Sequence, residues 1–158
     1  MKKTSVIAGG LTIAGLLPFV FSAGCIVFFN SGVPVTNLLM AFVSYGAICL
    51  AFWGAVQWGL SLETDRAILV AGAESRDVVR LLLGVIPAAL AWLAICLAFL
   101  WSAVMAVALL AVAVPLQGLA ERAGWRRGML PRGYMGLRWI AVAVMESCLL
   151  VVLMARLF

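Results

Sequence analysis

Histidine is absent from the 158 residues, which excludes His-ligated haem, His-ligated zinc and any Ser-His-Asp or Cys-His catalytic set. Charge is nearly as scarce. Asp, Glu, Lys and Arg make up 11% of the chain and hydrophobic residues 66%, where a soluble domain carries about 25% charged residues. So few polar side chains cannot cover a surface facing water, whereas in a bilayer the outward face of a helix is as apolar as its core. There is no CxxC pair: Cys25, Cys49, Cys96 and Cys148 are scattered through apolar runs and read as buried thiols acting as small hydrophobes rather than as a cluster or redox site. Neither a low-complexity linker nor an internal repeat is visible, and unequal spans lack the inverted symmetry of many secondary transporters.

What the chain does have is long apolar runs. Backbone groups in hydrocarbon must be hydrogen-bonded within their own segment, so each run reads as a helix. Five spans are expected, at about 6–29, 36–62, 79–100, 103–119 and 137–158, forming one all-α transmembrane bundle over residues 1–158. The first ends at Asn30-Ser31-Gly32-Val33-Pro34 and the second at Glu63-Thr64-Asp65-Arg66. The 41 residues from Val79 to Leu119 carry one charge, Arg80. As a single helix they would be about 60 Å long against a hydrocarbon core of about 30 Å, so a reversal is predicted near Trp101-Ser102, where an aromatic suits a headgroup boundary. Residues Glu121 to Gly136 read as a polar loop. Met1-Lys2-Lys3 with Ser22-Ala23-Gly24-Cys25 has the outline of a lipoprotein signal. The apolar run, however, continues through Ile26, Val27, Phe28 and Phe29, which favours a retained helix.

Basic residues in short loops stay on the cytoplasmic side. With the N-terminus inside, Lys2, Lys3, Arg66, Arg76, Arg80, Arg122, Arg126, Arg127, Arg132 and Arg138 all fall there and Arg156 alone falls outside, ten of eleven cations in agreement. Five spans then place the C-terminus on the opposite side. The net charge of +5 points to anionic lipid headgroups rather than nucleic acid, because the cations lie between apolar spans. Arg122, Trp125, Arg126, Arg127, Arg132, Tyr134 and Arg138 combine cations with interfacial aromatics. Headgroup anchoring is the plain reading of that set and docking of an acidic partner protein the sharper one.

Three sets of residues could carry contact or chemistry. In the second span Ala47, Ala51, Ala55 and Gly59 recur every fourth residue, with Gly46 and Gly54 on an adjacent stripe. Such a face lets another backbone approach closely, whether from this chain or from another integral membrane protein. Trp53 and Gln57 stand one turn apart, and Gln57 in hydrocarbon serves either as glue between helices or as part of a polar pocket. Glu146 lies nine residues from Leu137 and twelve from Phe158. An ionised carboxylate is costly at that depth, so it reads either as a proton-carrying or ligand-orienting group or as a neutral carboxyl bonded to Gln57, Gln117 or a freed carbonyl. Pro18, Pro87 and Pro115 free the carbonyls of Ala14, Leu83 and Ala111 and predict kinks, which are widely tolerated in membrane helices without function. Glu63, Asp65, Glu74 and Asp77 could gather a divalent cation, but with Arg66, Arg76 and Arg80 among them they read more simply as a solvated face, Ser75 capping the next helix.

Tyr45-Gly46-Ala47, Phe52-Trp53-Gly54 and Gln57-Trp58-Gly59-Leu60, with Val85-Ile86-Pro87-Ala88, Ala91-Trp92, Tyr134 and Leu137-Arg138, resemble a membrane family across nearly the whole chain. It is the family catalogued as domain of unknown function 3429, which includes the mitochondrial transmembrane protein 69 type and many proteobacterial proteins. The resemblance implies a small multi-pass protein of a bacterial inner (cytoplasmic) membrane or a mitochondrial inner membrane, and supplies no catalytic residues and no cofactor. The first functional expectation is a non-enzymatic packing or accessory module of a membrane complex, associating through the small-residue face and the basic loop. The second is a binder or carrier of a quinone, tetrapyrrole or lipid in a cavity near Trp53, Gln57, Trp92 and Glu146. An enzyme would have to rely on the acids of the second cytoplasmic segment.

Overall fold

The computed structural model describes residues 3–29, 33–62, 73–126 and 134–157. They form five helices, α1 (Lys3–Phe28), α2 (Val33–Leu62), α3 (Ala73–Leu100), α4 (Ala103–Arg126) and α5 (Tyr134–Leu157). Each contains a run of 20 to 25 residues long and apolar enough to cross a membrane, against about 20 needed. The protein is a multi-pass helical membrane protein.

Successive helices pack on one another, α5 closes back on α1, and α2 reaches across to α4. α1 and α5 run parallel: Gly9 lies beside Leu137 at one end and Arg156 bonds to Ile26 at the other. In the middle, Phe19 stacks on Phe42 with ring centroids 4.1 Å apart, enclosed with Leu50, Leu110, Met145 and Leu149. Many of the other buried positions are alanine, including Ala47, Ala94, Ala106 and Ala113. The outer faces are as apolar as the inside, with Phe21, Phe52, Phe99 and Leu116 exposed. Lipid tails therefore give no hydrophobic drive to association, and close packing must supply it. The closest approach is between α2 and α3. A Cβ added at Gly54 would lie 2.5 Å from the Gly84 carbonyl oxygen, and one added at Gly84 would run into the Trp58 indole. The small-residue stripe of α2 is thus used within the chain at this point.

The reversal between α3 and α4 falls at Trp101-Ser102 as the length argument predicts. The Trp101 and Ser102 amides both donate to the Leu97 carbonyl, at 3.0 and 2.8 Å, and Ser102 accepts from the Ala106 amide at 3.2 Å, so the turn needs two residues. At the same end of the bundle Arg156 donates from Nη2 to the carbonyls of Ile26 (2.9 Å) and Phe29 (3.1 Å). Ile26 lies in the last turn of α1 and Phe29 directly follows it, where carbonyls lack partners and a cation is favoured. This gives a structural use to the one cation that the expected orientation sets apart from the other ten.

Several boundaries differ from expectation: α3 begins at Ala73 rather than near 79 and so takes in Ser75, expected to cap it, and α1, α2 and α5 begin at Lys3, Val33 and Tyr134, ahead of 6, 36 and 137. α4 continues to Arg126 and α5 starts at Tyr134, so Glu121 belongs to a helix and not to a loop. The reason is that Glu121 has a buried partner.

Candidate functional site

At the end of the bundle where α2 and α4 finish and α3 and α5 begin, polar side chains from three helices converge. Arg138 lies on the same stripe of α5 as Ala141, Val142, Met145, Leu149 and Val152, and on α4 Glu121 continues the buried stripe of Val114, Gln117 and Gly118. The helical repeat that buries those apolar residues therefore buries both charges. Arg138 is 4% exposed and Glu121 0%. The guanidinium grips the carboxylate with two bonds, Nε to Oε2 at 2.5 Å and Nη2 to Oε1 at 3.2 Å, the fork geometry that makes arginine the better partner for a dehydrated carboxylate. Gln117 Nε2 donates to Glu121 Oε1 at 3.1 Å and to the Leu83 carbonyl at 3.3 Å. That carbonyl is the one Pro87 leaves without its intrahelical N–H, so a single amide satisfies the kink of α3 and steadies the carboxylate. The Arg138 guanidinium carbon sits 3.6 Å from the centroid of the Trp53 ring on α2, close enough for a cation–π contact. Two donors are left over: Arg138 Nη1 and Gln57 Nε2 are buried without a hydrogen-bond partner.

Trp53 also borders a cleft of about 360 Å³ between α1, α2 and α5. Its walls are mostly apolar, from Leu11, Leu16, Ile48, Phe52 and Trp53, with Ala141 contributed by α5. Thr12 and Tyr45 supply polar edges, and the Tyr45 hydroxyl donates to the Gly15 carbonyl at 2.6 Å. A Cβ added at Gly15 would meet nothing within 4 Å, so this side of α1 is open.

The residues proposed from sequence fall into separate places. Trp53 and Gln57 both belong to the converging end, Gln57 at 2% exposure. Trp92 is 68% exposed on α3 and points away from the interior, because its neighbours Ala91 and Ala94 take the buried positions. Glu146 is half-buried on α5, with Oε2 shielded and unpartnered; it does not join the cleft, and the Gln117 amide goes to Glu121 instead. On the small-residue face Ala47 and Gly54 are buried, Ala51 is half-buried, and Ala55 and Gly59 are exposed. Of the basic set, Arg122, Trp125 and Arg126 are exposed while Arg138 is inside, a correction to its expected place among the headgroup contacts. The four cysteines are free and half-buried rather than fully enclosed. Arg127, Arg132, Glu63 and Asp65 lie outside the described residues, as do the side chains of Glu74 and Asp77. Among the described residues no three acids or thiols gather as a metal site.

The pair that sequence reading missed is Glu121 with Arg138. The signal was available as spacing: Gln117 and Glu121 are one turn apart and stand three and seven residues after Val114, in register with the apolar run before them. Arg138 likewise stands three and seven residues before Ala141 and Met145, in register with the apolar stripe of its span.

A bundle of five bilayer-length helices tied at one end by a buried ion pair defines a polytopic helical membrane protein with a buried polar centre. Residues 5–154 match the family described as protein of unknown function (DUF3429), and the chain belongs to that family. No curated protein and no solved structure matches it.

Proposed function

We propose that this protein is a non-enzymatic binding module of the bacterial inner membrane, with its N-terminus cytoplasmic, that holds a small apolar molecule in the cleft between α1, α2 and α5. The cleft carries the reading. Its volume of about 360 Å³ lies toward the lower end of the roughly 300–1,000 Å³ of small-molecule sites, and such sites combine apolar and aromatic walls with a few polar groups. A quinone ring or a lipid chain suits this size better than a tetrapyrrole, for which no histidine is present as an axial ligand. Non-enzymatic action is supported by how the converging end spends its acid, since Glu121 is held by Arg138 and Gln117. The positive-inside pattern supports the orientation, because the converging end is the one flanked by the cation-rich segments.

Gly15→Phe places a ring in the open side of the cleft without a clash at Cβ. Purified in mild detergent and extracted with organic solvent, the wild-type protein is expected to release a lipophilic molecule in near-equimolar amount and Gly15→Phe to release little of it. A wild-type protein that carries none, and binds no short-chain quinone in titration, would remove this reading.

A second reading, the accessory module of a membrane complex, is favoured by the part of the α2 stripe that the bundle leaves uncovered. Ala55 and Gly59 are exposed, and a Cβ at Gly59 would meet nothing within 4 Å. Crosslinking from position 59 in intact membranes should capture a neighbouring chain on this reading, whereas the same probe at the covered Gly54 should not.

A further inference from the structure

We propose that the outer groove between the C-terminal turns of α4 and the first turns of α5 is a binding site for one anionic diacyl phospholipid. Arg122 and Arg126 are one helical turn apart on α4 and both exposed, which sets their Cβ atoms about 6 Å from each other. Arg122 is shared by two adjoining hollows. One, of about 340 Å³, is bordered by Trp125, Gly136 and Trp139, and the other, of about 480 Å³, by Leu119 and Arg126. Among the described residues no carboxylate borders either hollow, and Glu121, the acid next to Arg122 in sequence, is buried against Arg138. The two cations therefore face outward without an opposite charge from the lining residues.

The surroundings select a lipid over a soluble anion. The Arg122 guanidinium carbon lies 5.9 Å from the centroid of the Trp139 ring, a placement that orients the cation over an indole. Trp125 and Trp139 have the amphipathic rings that sit at headgroup level. Towards the middle of the bilayer the same side of α4 continues as the exposed side chains of Val112, Leu116 and Leu119, with Ile140 exposed on α5. A phosphodiester held by Arg122 and Arg126 would thus have its acyl chains laid along an apolar track, and basic hollows between membrane helices are recognised sites for anionic headgroups. Gly136 leaves the hollow open, since a Cβ there would meet nothing within 4 Å.

The test uses the full chain in nanodiscs or mild detergent, with lipid retention read by native mass measurement. Phosphatidylglycerol is expected to be retained as a single copy at roughly thirtyfold higher affinity than phosphatidylcholine, the discrimination two surface arginines provide. Arg122→Gln with Arg126→Gln should abolish the preference while leaving thermal unfolding in phosphatidylcholine unchanged, because both side chains are exposed. Gly136→Phe, which touches no charge, should weaken retention by filling the hollow. Equal retention of the two lipids would overturn the proposal, and so would an unaltered preference in the double variant. Inorganic phosphate displacing phosphatidylglycerol at millimolar concentration would also overturn it, by showing that the apolar track contributes nothing.

Discussion

α5 carries two arginines, 18 residues apart and so about 27 Å apart along the helix axis, and the bundle treats them in different ways. Arg138 is enclosed and meets a full carboxylate, a tryptophan face and, through that carboxylate, a glutamine from α4. Arg156 is half-buried and donates to backbone, the carbonyls of Ile26 and Phe29 where α1 ends. The difference follows from what each end of the helix can offer. A guanidinium removed from solvent must find an opposite charge and most of its hydrogen bonds in protein, since a lone buried charge is prohibitively costly. One at a helix terminus needs less, because the partial charges of unsatisfied carbonyls are favourable and water or headgroups are near. One end of the molecule is thus tied by an ion pair joining α4 to α5 and resting on α2, the other by a cap joining α5 to α1.

The comparison is broken most directly by removing the acid. Glu121→Ala leaves Arg138 buried without its counter-charge and should lower stability by about 3–5 kcal/mol, read by equilibrium unfolding in mixed micelles. Replacing both partners, Glu121→Leu with Arg138→Leu, should recover most of that loss, because a well-packed apolar pair is often as stable as a buried ion pair. If Glu121→Ala cost no more than losing the Arg156 cap, the two ends would be equivalent and the distinction would fail.

The next largest effect concerns the backbone contact beside the ion pair. Gly84→Ala puts a methyl into the Trp58 indole and towards the Gly54 carbonyl, so α2 and α3 must separate, at a cost of about 1–3 kcal/mol for overpacking. Gly59→Ala, one turn beyond the stripe's covered part and facing open space, should be neutral within about 0.5 kcal/mol. Equal effects at the two glycines would mean that the α2–α3 approach does not determine the packing of this end.

At the capped end, Arg156→Gln removes the charge from the carbonyls of Ile26 and Phe29 and should cost about 1–2 kcal/mol. Hydrogen exchange should localise the loss to the last turn of α1, leaving the Glu121 end protected. Spread of the loss to α4 would show that the ends are coupled rather than independent.

How much of this was legible in the sequence divides along the same line. The helices and the turn at Trp101-Ser102 followed from hydrocarbon thickness and helix rise, which are properties of the solvent and the backbone. The carbonyl freed by Pro87 was legible too, since proline chemistry is local. What remained hidden depended on which faces meet across the bundle. Glu121 and Arg138 sit near span boundaries, where charged residues ordinarily mark the water interface, and only their register with buried neighbours distinguished them. Trp92 and Glu146 were conspicuous as residue types, but nothing along the chain recorded that one faces outward and the other lies apart from the converging end.

The smallest expected effect sharpens the account of the tied end, and its sign is opposite to the first. Gln57 is almost wholly enclosed, yet its amide nitrogen has no hydrogen-bond partner. A buried donor left unpaired costs free energy, and replacing it with an apolar group of similar shape is neutral or favourable. Gln57→Leu should therefore raise stability by about 0.5–1 kcal/mol, although it lies one turn from Trp53 at the very end where Glu121→Ala is most damaging. The same unfolding measurement decides the point. A rise would separate the atoms that hold the bundle together from a donor that does not, and would leave Gln57 as a group kept for something other than stability. A loss comparable to that of Glu121→Ala would place Gln57 inside the network of Arg138 and Gln117, so that the end is held by four helices and the glutamine has no role beyond holding it.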